Sequence, residues 1–181
     1  PKVWCNLANL EKINIKKNVS KTESVIGKSF GGSNPLLLSV RSGAPISMPG
    51  MMETILNIGL TSKTIPSMIK ISGDERFVYD SYRRLIMMYA DVVMEKALRI
   101  NKSTNPIRVL MEKELESVKK NKGYKNDSNM KAEDWKVLSN KYLTMVKKEF
   151  GVPFPDDHYE QLYGAIAAVF ESWNGKRAKE Y

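Results

Sequence analysis

The sequence predicts an α+β fold in which helix dominates. One observation is a short apolar run after a breaker: Pro35 followed by Leu36-Leu37-Leu38-Ser39-Val40-Arg41, the pattern of a buried strand. Another is helical periodicity in one segment after another between about residues 61 and 152. A third is a last amphipathic stretch beyond Gly151, Pro153 and Pro155, which reads as a helix that returns. The expected organisation is a strand-bearing segment over 1–60, an inserted helical subdomain over 61–152, and the returning helix over 153–181.

Each element has its own signal. Val3, Leu7, Leu10 and Ile13 recur at helical spacing and predict a short helix over 2–13. Residues 14–34 mix Lys, Asn, Ser, Thr and Gly, and read as a loop with one turn of helix. The strand ends in Arg41 and runs at once into Ser42-Gly43-Ala44-Pro45. A permanent cation there presents charge at the carboxyl edge of a sheet, where ligands bind in many α/β folds. Pro49-Gly50 makes a tight turn among Met48, Met51 and Met52. Asp74 can cap a helix over 75–95 whose stripe is Phe77, Tyr82, Leu85, Ile86, Tyr89, Val92 and Val93. Helices follow over 105–120, with Pro106 near its start, and over 131–149, opened by Glu133-Asp134. Between them lies a polar loop. The last helix begins near Asp156-Asp157 and carries Leu162, Ala165, Ile166, Val169, Phe170 and Trp173. One strand is not a sheet. Further strands are expected either in the loop-like parts or in chain beyond this sequence. Pro1, with no initiator Met, reads as a cut inside a longer protein.

Composition narrows the chemistry. The 181 residues suffice for one domain or two small subdomains. With Cys5 and His158 each the sole residue of its kind, a disulfide within the chain, a zinc cluster and a multi-histidine metal site are excluded. A membrane partner is not expected, because no stretch approaches the roughly 20 apolar residues of a membrane span. The net charge of +9 invites a nucleic-acid reading. The lysines are spread, however, and no aromatic stacking platform is interleaved with them. A solvated basic face is the better reading, and no nucleic-acid partner is expected.

Four local motifs need weighing. Ile26-Gly27-Lys28-Ser29 looks like the tail of a phosphate-binding loop, but Thr22 stands where the motif needs a glycine, and a strand rather than a helix follows. A surface loop is the expectation. Arg83-Arg84 lies mid-helix. Arg84 has Asp80 at i−4, whereas Arg83 has only Met87 at i+4, so a salt-bridged face competes with a two-pronged contact to phosphate. His158 is read as an exposed residue at a helix start rather than as a general base. The three methionines are read as core packing, with a loop covering adenine or phosphate as the alternative.

Taken together, three blocks resemble the amino-terminal nucleotide-binding domain of the pyruvate, phosphate dikinase family. They are Leu36 through Ala44 with Ser47-Met48-Pro49-Gly50-Met51-Met52, Arg76 through Arg84 with Met88 through Met94, and Phe154 through Asp157 with Gln161-Leu162, Gly164-Ala165-Ile166 and Ser172-Trp173-Asn174. The likeness covers about residues 35–175; the first thirty residues and 96–130 match poorly. It implies a partial ATP-grasp lobe bearing the inserted helical subdomain. It also implies a place in an enzyme that turns ATP, pyruvate and phosphate into AMP, phosphoenolpyruvate and pyrophosphate, with Mg2+. By position, Arg41 resembles the family's arginine on the ATP phosphates. Gly50 resembles the glycine whose backbone approaches them, and Arg84 a second arginine near the terminal phosphate. No catalytic residue is expected in this piece. The family's phosphorylated histidine stands in a Thr-Ser-His segment that this chain lacks, so His158 does not inherit that role. The Mg2+ ligands are expected outside the chain. The expected partners are ATP and the remaining domains of the same polypeptide, in a homodimer located in the cytoplasm or in an organelle such as a plastid or glycosome. A fragment of this kind is expected to be inactive alone. The alternatives are a related dikinase such as phosphoenolpyruvate synthase and, in another class, a basic helical nucleic-acid-binding module.

Overall fold

Polar residues with long or small side chains tolerate a helix when one face has something to cover. In the computed structural model, which describes residues 8–42, 53–99 and 105–174, the first helix α1 runs Asn9–Ile26. It passes straight through the stretch expected to be loop. Only Val19 of this helix is buried, so its apolar periodicity is too weak to read from sequence. Its end is sharper: Gly27 takes the left-handed conformation (φ 70°) and its N–H donates to Glu23 O at 2.8 Å.

Strand β1 is Leu38–Arg41 and strand β2 is Thr54–Ile58; they pair antiparallel as a two-stranded sheet. The second strand thus lay in a loop-like part of the chain. Leu38 faces Ile58, Val40 faces Ile55 and Arg41 faces Thr54, so β2 carries one extra residue between the first two pairs. Asn57 absorbs it in a left-handed conformation (φ 60°), a β-bulge that hides the strand's alternation in sequence. The expectation of a buried first strand is corrected. Leu36 is buried before the strand begins, while β1 itself alternates between half-buried and exposed.

Contacts divide the chain into two compact units, one from Pro1–Ile71 with Pro155–Tyr181 and one over Ser72–Phe154. In the first, α2 (Ile65–Ser72) starts after two buried threonines. Thr64 Oγ1 donates to Gly59 O at 2.7 Å, and Ile65 N donates to Thr61 O at 3.0 Å. Helix α6 (His158–Ser172) is capped by Asp157, whose carboxylate accepts from Glu160 N at 2.9 Å. Its buried Gln161 ties it to the β2 end. The side-chain oxygen accepts from Gly59 N, and the side-chain nitrogen donates to Leu60 O and Pro155 O, all at 3.0 Å. Asp156 accepts from Ser62 N at 2.7 Å. Gly59 holds φ +106°, and a Cβ there would stand 2.9 Å from the Phe30 ring and 3.1 Å from Leu36 O. Gly59→Ala is therefore expected to cost about 2 kcal/mol, read by urea denaturation.

In the second unit, α3 is Glu75–Tyr89, and Asp74 caps it by accepting from Phe77 N at 2.8 Å. The stripe is as expected except for Phe77, which is exposed at the first turn. From Ala90–Ala97 the same rod continues with a wider winding, Leu98 N reaching Val93 O at 3.1 Å. Helices α4 (Ile107–Lys122) and α5 (Ala132–Phe150) complete the unit, with a short turn at Asp127–Asn129 between them. Its core includes Tyr89, Met111, Leu138 and Tyr142. Tyr142 donates to Met111 O at 2.7 Å, and burial pushes its phenol well above the usual range. Asp134 is buried, which opposes its ionisation. The Lys122 ammonium, the Lys131 N–H and the Tyr124 hydroxyl outweigh that and hold its carboxyl low. Its contribution to stability is complete above the ordinary carboxylate range and is lost as pH falls through the depressed value.

Candidate functional site

Side chains alternate between the two faces along a strand, and in β1 Ser39 and Arg41 fall on the exposed one. Arg41 is the final residue of β1 and is exposed. It stands at a groove of about 520 Å³ between the end of this strand and one face of α6. Val40 and Ser42 flank it on the strand side; Ile166, Val169, Phe170 and Trp173 line the helix side. Phe170 is 67 % exposed and Trp173 44 % exposed. A fixed cation beside apolar and aromatic surface suits a ligand with a flat ring and an anionic end.

The second cation is placed by helix spacing. On α3, Asp80 pairs with Arg83 at i+3 and with Arg84 at i+4, the latter at 2.9 Å. The expectation that only Arg84 has an acidic partner is corrected, because three residues on a helix bring side chains together as well as four. The two arginines then differ sharply. The Arg83 side chain is 5 % exposed and that of Arg84 is 59 % exposed. Arg83 packs its guanidinium over the ring of Trp135 on α5, 4.6 Å from the centroid. Trp135 itself is fully buried. Arg84 thus combines a salt bridge with an open side, and the two readings of this pair are not exclusive.

Arg41 belongs to the first unit and Arg84 to the second. Gly50 lies outside the described residues, as does the methionine cluster of Met48, Met51 and Met52. His158 is only partly exposed, which corrects the reading of it as an exposed helix start. Its ring meets Phe30 edge-on at 4.9 Å and lies over Gly31, where a Cβ would come within 2.5 Å of it. The geometry is that of packing. Residues Gly27 to Ser29 are exposed and follow a helix rather than leading into one, as expected of a surface loop.

Among the described residues no group of three or more His, Cys, Asp or Glu side chains is placed to hold a metal ion. No helix among them is long and apolar enough to cross a membrane.

Sequence reasoning missed Trp135 and Gln161. Trp135 offered only its helical register. Gln161, fully buried, carried a usable signal in being a polar residue among Leu162, Ala165 and Val169.

Comparison with known proteins matches residues 10–181 to the family described as "Pyruvate phosphate dikinase, AMP/ATP-binding domain". The curated proteins that the chain is similar to include pyruvate, phosphate dikinase of Entamoeba histolytica, 45 % identical over 168 residues, which is 92 % of this chain and 18 % of that protein. Another is the enzyme of Rhizobium meliloti, 41 % identical over the same shares of the two chains. A third is pyruvate, phosphate dikinase 1, chloroplastic, of Zea mays, 44 % identical over 88 % of this chain and 16 % of that protein. The chain spans under a fifth of the length of these relatives.

Proposed function

Because the chain belongs to the AMP/ATP-binding domain family of pyruvate, phosphate dikinase, we propose that it supplies ATP phosphate contacts to such a dikinase. The enzyme so proposed converts ATP, pyruvate and phosphate into AMP, phosphoenolpyruvate and pyrophosphate. The observation that carries the reading is the family match over residues 10–181, which spans both units and both exposed arginines. Arg41 and Arg84 act on the phosphates as rigid, always-charged forks that offset the charge on a transferring phosphoryl group. Gly50, with no side chain, lets the backbone approach the same phosphates. No group in the chain performs the covalent chemistry. The Mg2+ that the reaction uses is held by residues elsewhere in the enzyme, where it neutralises phosphate charge.

The working partners are ATP and the remaining domains of the same polypeptide, assembled as a homodimer. The compartment is the cytoplasm or an organelle such as a plastid, in line with relatives whose names include chloroplastic forms. The expected result with this chain alone is no formation of phosphoenolpyruvate from ATP, pyruvate and phosphate in a coupled assay. Turnover by the isolated chain would overturn its assignment as one part of a larger catalyst. Full-length enzyme is expected to require inorganic phosphate. Turnover without phosphate would instead place it with phosphoenolpyruvate synthase.

A further inference from the structure

An exposed arginine has many rotamers, and holding one of them beside a phosphate costs conformational entropy unless something else fixes it first. The Arg84 side chain is 59 % exposed, so packing does not set its direction. Its anchor among the described residues is Asp80. A carboxylate facing a lone guanidinium commonly takes it with both oxygens, two parallel bonds that occupy one whole edge of the fork. Here the carboxylate is divided. One oxygen of Asp80 is taken by Arg83, and only the other meets Arg84, at 2.9 Å.

Arg83 is an odd choice for its position. Its side chain is 5 % exposed, its Nε has no hydrogen-bond partner among the described residues, and its guanidinium lies over the Trp135 ring. A buried and incompletely bonded cation is a poor stabiliser beside an apolar side chain of similar volume. Its polar bond goes to Asp80, so the consequence of placing an arginine here falls on that carboxylate. We propose that Arg83, braced by Trp135, is a positioning residue: it withholds one oxygen of Asp80, so that Arg84 is tethered through a single nitrogen and keeps the rest of its fork open to a phosphate. This rests on the reading of Arg84 as a phosphate ligand. Arg83 does not touch the nucleotide.

The test is a double-mutant cycle in the full-length dikinase, read as kcat/KM for ATP in AMP formation. Arg83→Met keeps the volume and removes the charge. With Arg84 present it is expected to lower kcat/KM roughly tenfold, the scale of one mispositioned charge-assisted bond. In the Arg84→Ala background it is expected to cause no further loss, because there is no fork left to aim. Formation of phosphoenolpyruvate in the pyruvate half-reaction should not change. Trp135→Phe, which keeps a ring under the guanidinium, should give a smaller loss with the same dependence on Arg84. Arg83→Met removes one partner of a mostly buried ion pair, so its melting temperature is expected to fall; the dependence of the kinetic loss on Arg84, which a general loss of stability would not show, carries the test. Equal losses in both backgrounds, or no loss with Arg84 present, would overturn the positioning role while leaving Arg84 as a ligand. An Arg84→Ala enzyme with unchanged kcat/KM for ATP would remove the ligand reading first, and the positioning role with it.

Discussion

In a full-length dikinase carrying this chain, Arg41→Ala and Arg84→Ala are each expected to slow the ATP half-reaction by about a hundredfold and to leave the pyruvate half-reaction at its parental rate. The magnitude is that of removing one preorganised donor from a transferring phosphoryl group. Neither change should unfold the protein. Arg41 ends a strand and is exposed, and most of the Arg84 side chain is open to solvent. Arg84 does leave Asp80 with one fewer cation, but Arg83 still pairs with that carboxylate. Lysine at either place keeps the charge and loses the fork, so Arg41→Lys and Arg84→Lys should recover only part of the rate. The two half-reactions are read separately, as AMP formed from ATP and phosphate, and as ATP-independent phosphoryl transfer to pyruvate. A fall of equal size in both would mean that the substitution damaged folding, and the phosphate assignment would fail at that position.

Gln161→Met is expected to lower the stability of this chain by about 3 kcal/mol, read by urea denaturation. Methionine matches glutamine in length and volume, so little of the loss comes from a cavity. The cost comes from three backbone groups, Gly59 N, Leu60 O and Pro155 O, each now bonded to the amide at 3.0 Å and each left without that partner. Leu60 is 1 % exposed, so water does not readily replace the amide there. A loss under about 1 kcal/mol would show that the backbone relaxes or hydrates, and that the amide is not what fastens β2 to α6.

How legible the fold was from sequence depended on how strongly each element buries one face. Helices α3, α4, α5 and α6 have regular apolar stripes and readable ends, such as Asp74 before α3 and Gly151 after α5. They lie within a few residues of their expected positions. Helix α1 was largely illegible, because its composition is polar and it buries only Val19. Strand β2 was hidden by its bulge at Asn57, which breaks the two-residue alternation that a strand is recognised by.

The site shows the same division. Arg41 became a candidate because a strand that ends in a permanent cation before a glycine-containing loop presents charge at the end of a sheet. Arg84 became a candidate only through family resemblance, since spacing alone left it as half of a surface ion pair. The Asp80–Arg83 contact was missed because only spacings of four were weighed, although the i+3 spacing is visible in the sequence; the Arg83–Trp135 stack joins residues far apart in sequence. No window of sequence contains both.

The long reach of Gln161 also sets an order of events during synthesis. Gly59 emerges from the ribosome 102 residues before the amide that it bonds to. The stretch Ser72–Phe154 is contiguous and can close on itself while the first unit is still waiting for its last helix. Chains truncated before residue 161 and released from the ribosome should therefore present a finished helical unit together with an unfinished strand pair. The exposed edges of that pair are what a chaperone would meet.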